Sequence, residues 1–148
     1  MAGKIAWVLL TTILPISELR GGIPLGISLG LYPWFTFFIA VIANALIFFP
    51  IFFALRLFYD KLLSRIPLFN KYLDNLRKRG KPKVDKYGFW GLALFVAVPL
   101  PLTGAYTGTI LAWLLGMNWR KAFLAVGLGV IIAGVVVLLI TLGVTSIP

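Results

Sequence analysis

The stretch Pro15-Ile-Ser17-Glu18-Leu-Arg20-Gly21-Gly22-Ile-Pro24 sets a carboxylate and a guanidinium between two apolar arms, Ile5 to Pro15 before it and on to Leu31 after it. Charges at membrane depth cost about 2.5–3.5 kcal/mol each on insertion scales, so where they persist they mark function. Two prolines and paired glycines beside them predict that the helix breaks here. Broken backbone at that depth must be buried in protein or line a cavity. Each arm is about ten residues, about 15 Å as helix, which is half a bilayer. The spacing therefore predicts a re-entrant hairpin over 5–31. The alternative is an ordinary short helix with Glu18 and Arg20 paired at the interface.

The rest of the chain makes the membrane setting plain. It is 61% hydrophobic and 12% charged, with a mean hydropathy of +1.02, too little polar surface to cover a water-soluble globule. Gly21 through Leu55, Tyr87 through Trp119 and Ala122 through Pro148 carry no charge, and each run exceeds the roughly 20 residues a spanning helix needs. Cys, His and Gln are absent, which removes disulfides, thiol chemistry and histidine-based metal or proton-relay sites. No cofactor or metal is expected. Met1 to Pro15 has one Lys and an apolar stretch but no small-x-small cleavage site, so it is expected to stay in the membrane body rather than act as a removable signal.

A second break echoes the first without charges. Phe89 to Val98 is apolar, then comes Pro99-Leu-Pro101-Leu-Thr103-Gly104-Ala-Tyr106-Thr107-Gly108, then apolar residues to Gly116. A shift of 86 residues lays Pro15 on Pro101, Ser17 on Thr103, Gly22 on Gly108, Gly26 on Ala112 and Gly30 on Gly116. The ladders Gly22-x3-Gly26-x3-Gly30 and Gly104-x3-Gly108-x3-Ala112-x3-Gly116 each put small residues on one helical face, where helices approach closely in membranes. Generic helix packing would use the same ladders; their matching positions after matching breaks favour an internal repeat.

Ten of the fourteen basic residues fall between Arg56 and Lys86. This is one loop between membrane segments, so the net charge of +10 reflects topology and not nucleic-acid binding, and the positive-inside rule puts the loop in the cytoplasm. Leu62, Ile66, Phe69, Leu73 and Leu76 step by four and three onto one helical face, with Pro67 dividing the helix and Lys78 to Lys83, which holds Gly80 and Pro82, expected as a turn. The segment 56–86 is either an amphipathic element lying on anionic lipid headgroups or a solvated connector. With both breaks re-entrant, Trp34–Leu55 and Ala122–Thr145 are the full spans and Arg120 and Lys121 also lie in the cytoplasm. Four full spans would put those two outside, against the charge rule.

The predicted fold is thus an all-α, multi-pass protein of the cytoplasmic membrane, a single membrane domain over 1–148 built as two inverted repeats. Each is a re-entrant helical hairpin followed by a transmembrane helix (hairpin 5–31 and span 34–55; hairpin 89–116 and span 122–145), joined by the basic amphipathic cytoplasmic segment 56–88. Paired broken helices in inverted repeats hold substrate near the midplane in many transporters. Helices starting after Gly21-Gly22 and after Gly104 would aim N–H groups and positive dipole ends into that space. Arg20 adds a cation and Ser17, Thr103, Tyr106 and Thr107 add hydroxyls, a set that suits an anionic headgroup, phosphate above all. Glu18 is a candidate proton carrier or a restraint on Arg20. Asn44, mid-span, either faces the same cavity or joins helices. A homodimer is a further expectation, since two spans and two hairpins make a small body for a complete pathway.

The segments Pro15-Ile-Ser-Glu-Leu-Arg-Gly-Gly-Ile-Pro-Leu-Gly26 and Pro99-Leu-Pro-Leu-Thr-Gly-Ala-Tyr-Thr-Gly108 resemble those of the small multidrug export protein family of archaea and bacteria, which is similar to the wider DedA (VTT, SNARE-associated) group. The resemblance covers nearly the whole chain and implies two re-entrant hairpins, each followed by a span. DedA-type proteins are linked to moving polyprenyl-phosphate carriers, and eukaryotic relatives to phospholipid scrambling. The second hairpin here carries no Arg, a departure from the DedA pattern. The expected function is a transporter or scramblase for a phosphate-bearing lipid, proton-coupled through Glu18. The rivals are a secondary exporter of small organic solutes or drugs and a non-transporting membrane assembly factor. An enzyme is least expected, because one Glu–Arg pair with scattered hydroxyls is a poor set for hydrolysis.

Overall fold

Helix α1 (Ala2–Ile13) stops where Leu14 turns extended, at φ −63° and ψ 133°, the conformation a residue before proline prefers. The computed structural model describes residues 1–59, 61–98 and 103–147, with side chains at all of these but 63 and 83. Helix α2 (Glu18–Ser28) follows after four residues and runs back along α1. A Cβ on Gly22 would strike Thr12, one on Gly26 would meet Val8, and one on Gly30 would lie 3.8 Å from the Lys4 amine. Contacts that descend in α1 as they ascend in α2 define an antiparallel helical hairpin.

The break lies before Glu18, not at Gly21-Gly22, and both glycines and Pro24 sit inside α2. The glycines serve close approach: Gly22 faces Thr12, and Gly21 faces Thr11 and Ser17. Pro24 costs only the bond that the Arg20 carbonyl would have received four residues on.

Helix α3 (Pro33–Leu46) starts with proline at its first turn, where the missing N–H costs nothing. It is separated from α4 (Phe48–Phe58) by Ile47 alone, itself in the helical region. Pro50 explains the interruption, since it leaves the Leu46 carbonyl without its donor. After a 3₁₀ turn at Leu63–Arg65, α5 runs from Pro67 to Tyr87. The turn expected at 78–83 is helix instead. Gly80 packs against Leu111, and Leu76 and Val84 on either side are buried, so tertiary burial overrides the local Gly and Pro signals. Leu73 and Leu76 therefore face protein, whereas Leu62, Ile66 and Leu68 remain exposed.

Gly88, at φ 58°, separates α5 from α6 (Phe89–Ala97), which is followed by α7 (Ala105–Leu114) and α8 (Trp119–Thr145). The Pro99–Leu102 part of the second break lies outside the described residues. Glycine again sets the helix spacing: Gly108 meets Val96, and Gly129 lies against Ala93 and Val96. The long helices pack antiparallel, with Val41 and Phe37 against Gly134, Phe48 5.5 Å from Phe123 and Phe53 6.1 Å from Trp119 between ring centroids.

The 86-residue shift also relates backbone geometry. It carries Pro33–Phe58 onto α8 and α2 onto α7 to within a residue at each end. Gly30 and Gly116 are both left-handed. Each closes its helix with the same pair of bonds: Gly30 N–H to Ile27 and Leu31 N–H to Gly26, then Gly116 N–H to Trp113 and Met117 N–H to Ala112. This is a two-bond glycine cap used twice.

Two helices, Pro33–Phe58 and Trp119–Thr145, are long and apolar enough to cross a bilayer. In α8 the outer residues Leu124, Ile131, Leu139 and Ile140 are as apolar as the inner Val126, Val130, Ala133 and Leu138. A helix that is hydrophobic all round and open on one side is built to face hydrocarbon. The chain is an all-helical membrane protein among the described residues.

Candidate functional site

The first break reaches into the second. Glu18 opens α2, is 4% exposed, and turns its carboxylate onto the start of α7. Ala105 N–H donates to Oε2 and Tyr106 N–H to Oε1, each at 3.2 Å. The first N–H groups of a helix have no internal partner and carry the positive end of its dipole, so one carboxylate satisfies two orphan donors. Glu18 holds this position at φ 49°, the one left-handed non-glycine among the described residues, a conformation that costs about 1–2 kcal/mol. Gly104 makes room for it: a Cβ there would land on the carboxylate.

Arg20 takes the opposite helix end. Its Nη2 donates to the Val98 carbonyl at 3.3 Å and to Thr103 Oγ1 at 3.1 Å, and Thr103 Oγ1 donates to Val98 at 2.6 Å. Val98 is the C-cap of α6, where the dipole is negative. The carboxylate thus sits at the positive end of α7 and the guanidinium at the negative end of α6. The second break answers in kind, since Tyr106 Oη donates to Ile13, the last residue of α1, at 2.5 Å. Ser17 Oγ likewise donates back to Thr11 at 2.5 Å, as Thr103 does to Val98.

Two spaces adjoin the carboxylate. Glu18, Arg20, Asn44, Gly104, Val130 and Ala133 close around a gap with no room for water. Asn44 is 1% exposed and its Oδ1 has no partner among the described residues. The other is a mostly apolar cavity of about 430 Å³, lined by Glu18, Arg20, Tyr106, Thr107, Phe69 and Tyr72 among others. Of the residues singled out in the sequence, Glu18, Arg20, Asn44, Gly104, Tyr106 and Thr107 line these spaces, and Thr103 holds Arg20. Ser17, Gly21 and Gly22 lie instead along the α1–α2 contact.

Phe69 and Tyr72, contributed by the connector helix α5, were not foreseen as site residues. The only signal was an aromatic on the connector's apolar face. Burial raises the Tyr72 phenol above the ordinary tyrosine range, and the charge of Glu18 pushes the same way. Among the described residues no group of three or more acidic side chains could hold a metal. What the arrangement offers chemically is a carboxylate in place of an external anion, a nearby cation, and an apolar chamber beside both.

No curated protein and no solved structure matches the chain. A family model described as Putative small multi-drug export protein matches residues 18–136, from the carboxylate that caps α7 to well inside α8. With that match running from the start of α2 through the connector and the second break to most of the last helix, the chain belongs to the small multi-drug export protein family.

Proposed function

We propose that this protein is a membrane transporter that carries a phosphate-bearing lipid across the bilayer, with Glu18 exchanging a proton as the headgroup binds. One contact supports this above all: the N–H groups that open α7 are held by an internal carboxylate beside an apolar cavity. A helix N-terminus is an anion site, and Glu18 occupies it as a stand-in for the substrate's charge. Protonation would release those N–H groups to a phosphate oxygen, with Arg20 close enough to supply a fork. The unpartnered Oδ1 of Asn44 would accept a hydrogen bond from the O–H of the protonated Glu18 carboxyl.

The architecture that suits this function is two re-entrant hairpins, α1–α2 and α6–α7, each followed by a span, as inverted repeats with the basic segments 56–88 and 120–121 in the cytoplasm. The repeated glycine caps, the antiparallel long helices and the meeting of α2 and α7 at their N-termini favour it. A kinship with the DedA group rests on the same two break motifs. Two copies side by side would complete the wall of the pathway.

A second possibility is export of amphipathic cations, in line with the family's description. Phe69, Tyr72 and Tyr106 around one carboxylate would suit such a substrate. Purified protein in liposomes separates the two. Under an imposed pH gradient, a fluorescent polyprenyl phosphate should change leaflets and an amphipathic cation dye should not. Movement of the dye alone would establish the second possibility, and movement of neither would leave a non-transporting role.

A further inference from the structure

We infer that the connector helix α5 carries an entry site for a phosphate-headed amphiphile, with Lys78 and Arg79 holding the headgroup and the Ile66–Phe69 end holding the tail. The inference deepens the transport function proposed above and rests on it for the route beyond the groove. Two open spaces lie along one face of α5. One, about 360 Å³, is lined by Tyr72, Asn75, Leu76, Lys78, Arg79 and Thr107. The other, about 630 Å³, is lined by Ile66, Leu68, Phe69, Lys71, Tyr72 and Asn75. Tyr72 and Asn75 belong to both, so the spaces adjoin as a basic end and an apolar end of one groove. Positions 68, 72, 75 and 79 step by four, three and four, which keeps them on a single helical face.

That layout has the shape of an amphiphile, a charged head with an apolar tail. Leu68 is 77% exposed and Ile66 45%, apolar surface left open beside a cluster of cations. The nearest acid on the helix, Asp74, lines neither space. The groove also leads to the central site, because Tyr72 and Thr107 line the Glu18 cavity as well. Tyr72 is therefore the partition between the groove and the chamber. A ligand held by Lys78 and Arg79 would stand one side chain away from the start of α7.

The absence of native cysteine allows a direct test on the full chain in neutral-lipid liposomes, using Asn75→Cys and thiosulfonate reagents of either charge. Adding Lys78→Gln and Arg79→Gln should lower the ratio of anionic to cationic labelling rates about fivefold at 0.1 M salt, the screened Coulomb effect of two cations roughly 8 Å away. Dodecyl phosphate should slow labelling in the parent and not in the charge-removed variant, and Leu68→Ser should weaken that protection. Equal protection by inorganic phosphate would show a free-phosphate site and overturn the tail assignment. Equal protection by dodecyl trimethylammonium, or an unchanged rate ratio, would overturn the site altogether. Protection should persist in Arg20→Lys, so protection without transport in the parent would sink the proposed function and leave the groove standing.

Discussion

Replacing Gly104 with alanine is the sharpest probe of the junction between the two breaks. The new Cβ would fall on the Glu18 carboxylate and 2.6 Å from its Oε1, so the carboxylate must leave α7. It would give up two bonds, from Ala105 and Tyr106. Hydrogen bonds to a charged group contribute about 1.5–3 kcal/mol each, and escape into the adjoining cavity recovers part of the loss. A net destabilisation of about 3 kcal/mol is expected. The backbone itself adds no penalty, since φ −85° and ψ −163° suit any residue. With Glu18→Ala already present there is nothing to strike, and Gly104→Ala should be neutral or stabilising by about 0.4–1 kcal/mol through the unfolded state. The two changes should thus couple by at least about 2 kcal/mol in a double-mutant cycle, read by unfolding in mixed micelles with intrinsic tryptophan fluorescence. Additivity within about 0.5 kcal/mol, the behaviour of independent sites, would refute the contact.

Three other outcomes follow from the packing. Gly22→Ala should cost about 1–3 kcal/mol by overpacking, because its Cβ would strike Thr12; Thr12→Ala should restore part of it, and no rescue would mean the hairpin is spaced otherwise. Pro82→Ala should stabilise the protein by at least about 1 kcal/mol, since proline inside α5 sacrifices a helix bond, whereas a loss in melting temperature would argue that α5 is broken there. Single cysteines at positions 2 and 147 should label only from outside the cell. Labelling of both from the cytoplasm alone would reject re-entrant hairpins in favour of four spans.

The break at Glu18 and Arg20 is legible in the sequence because charge, proline and glycine coincide inside an apolar run. What those side chains touch is not, because their partners lie some eighty residues on and no local pattern encodes a bond from Glu18 to Ala105. Glycine is ambiguous for a related reason. Gly21 and Gly22 read as a break and turn out to admit α1, while Gly104 reads as a helix start and also admits a carboxylate. Local signals fail at Gly80-Lys81-Pro82 because Leu111 fills the space that a turn would have left to solvent. Tyr72 shows the other limit, since its importance comes only from where α5 docks.

In the proposed transport step, substrate replaces Glu18 at the start of α7 and Glu18 takes a proton as it leaves. Infrared difference spectroscopy tests this most directly, because the chain has only four acidic residues and a protonated carboxyl is resolved from a carboxylate. Adding polyprenyl phosphate at constant pH should produce a carboxylic C=O band that is missing in Glu18→Gln. Transport without that band, or the same band in Glu18→Gln, would contradict it.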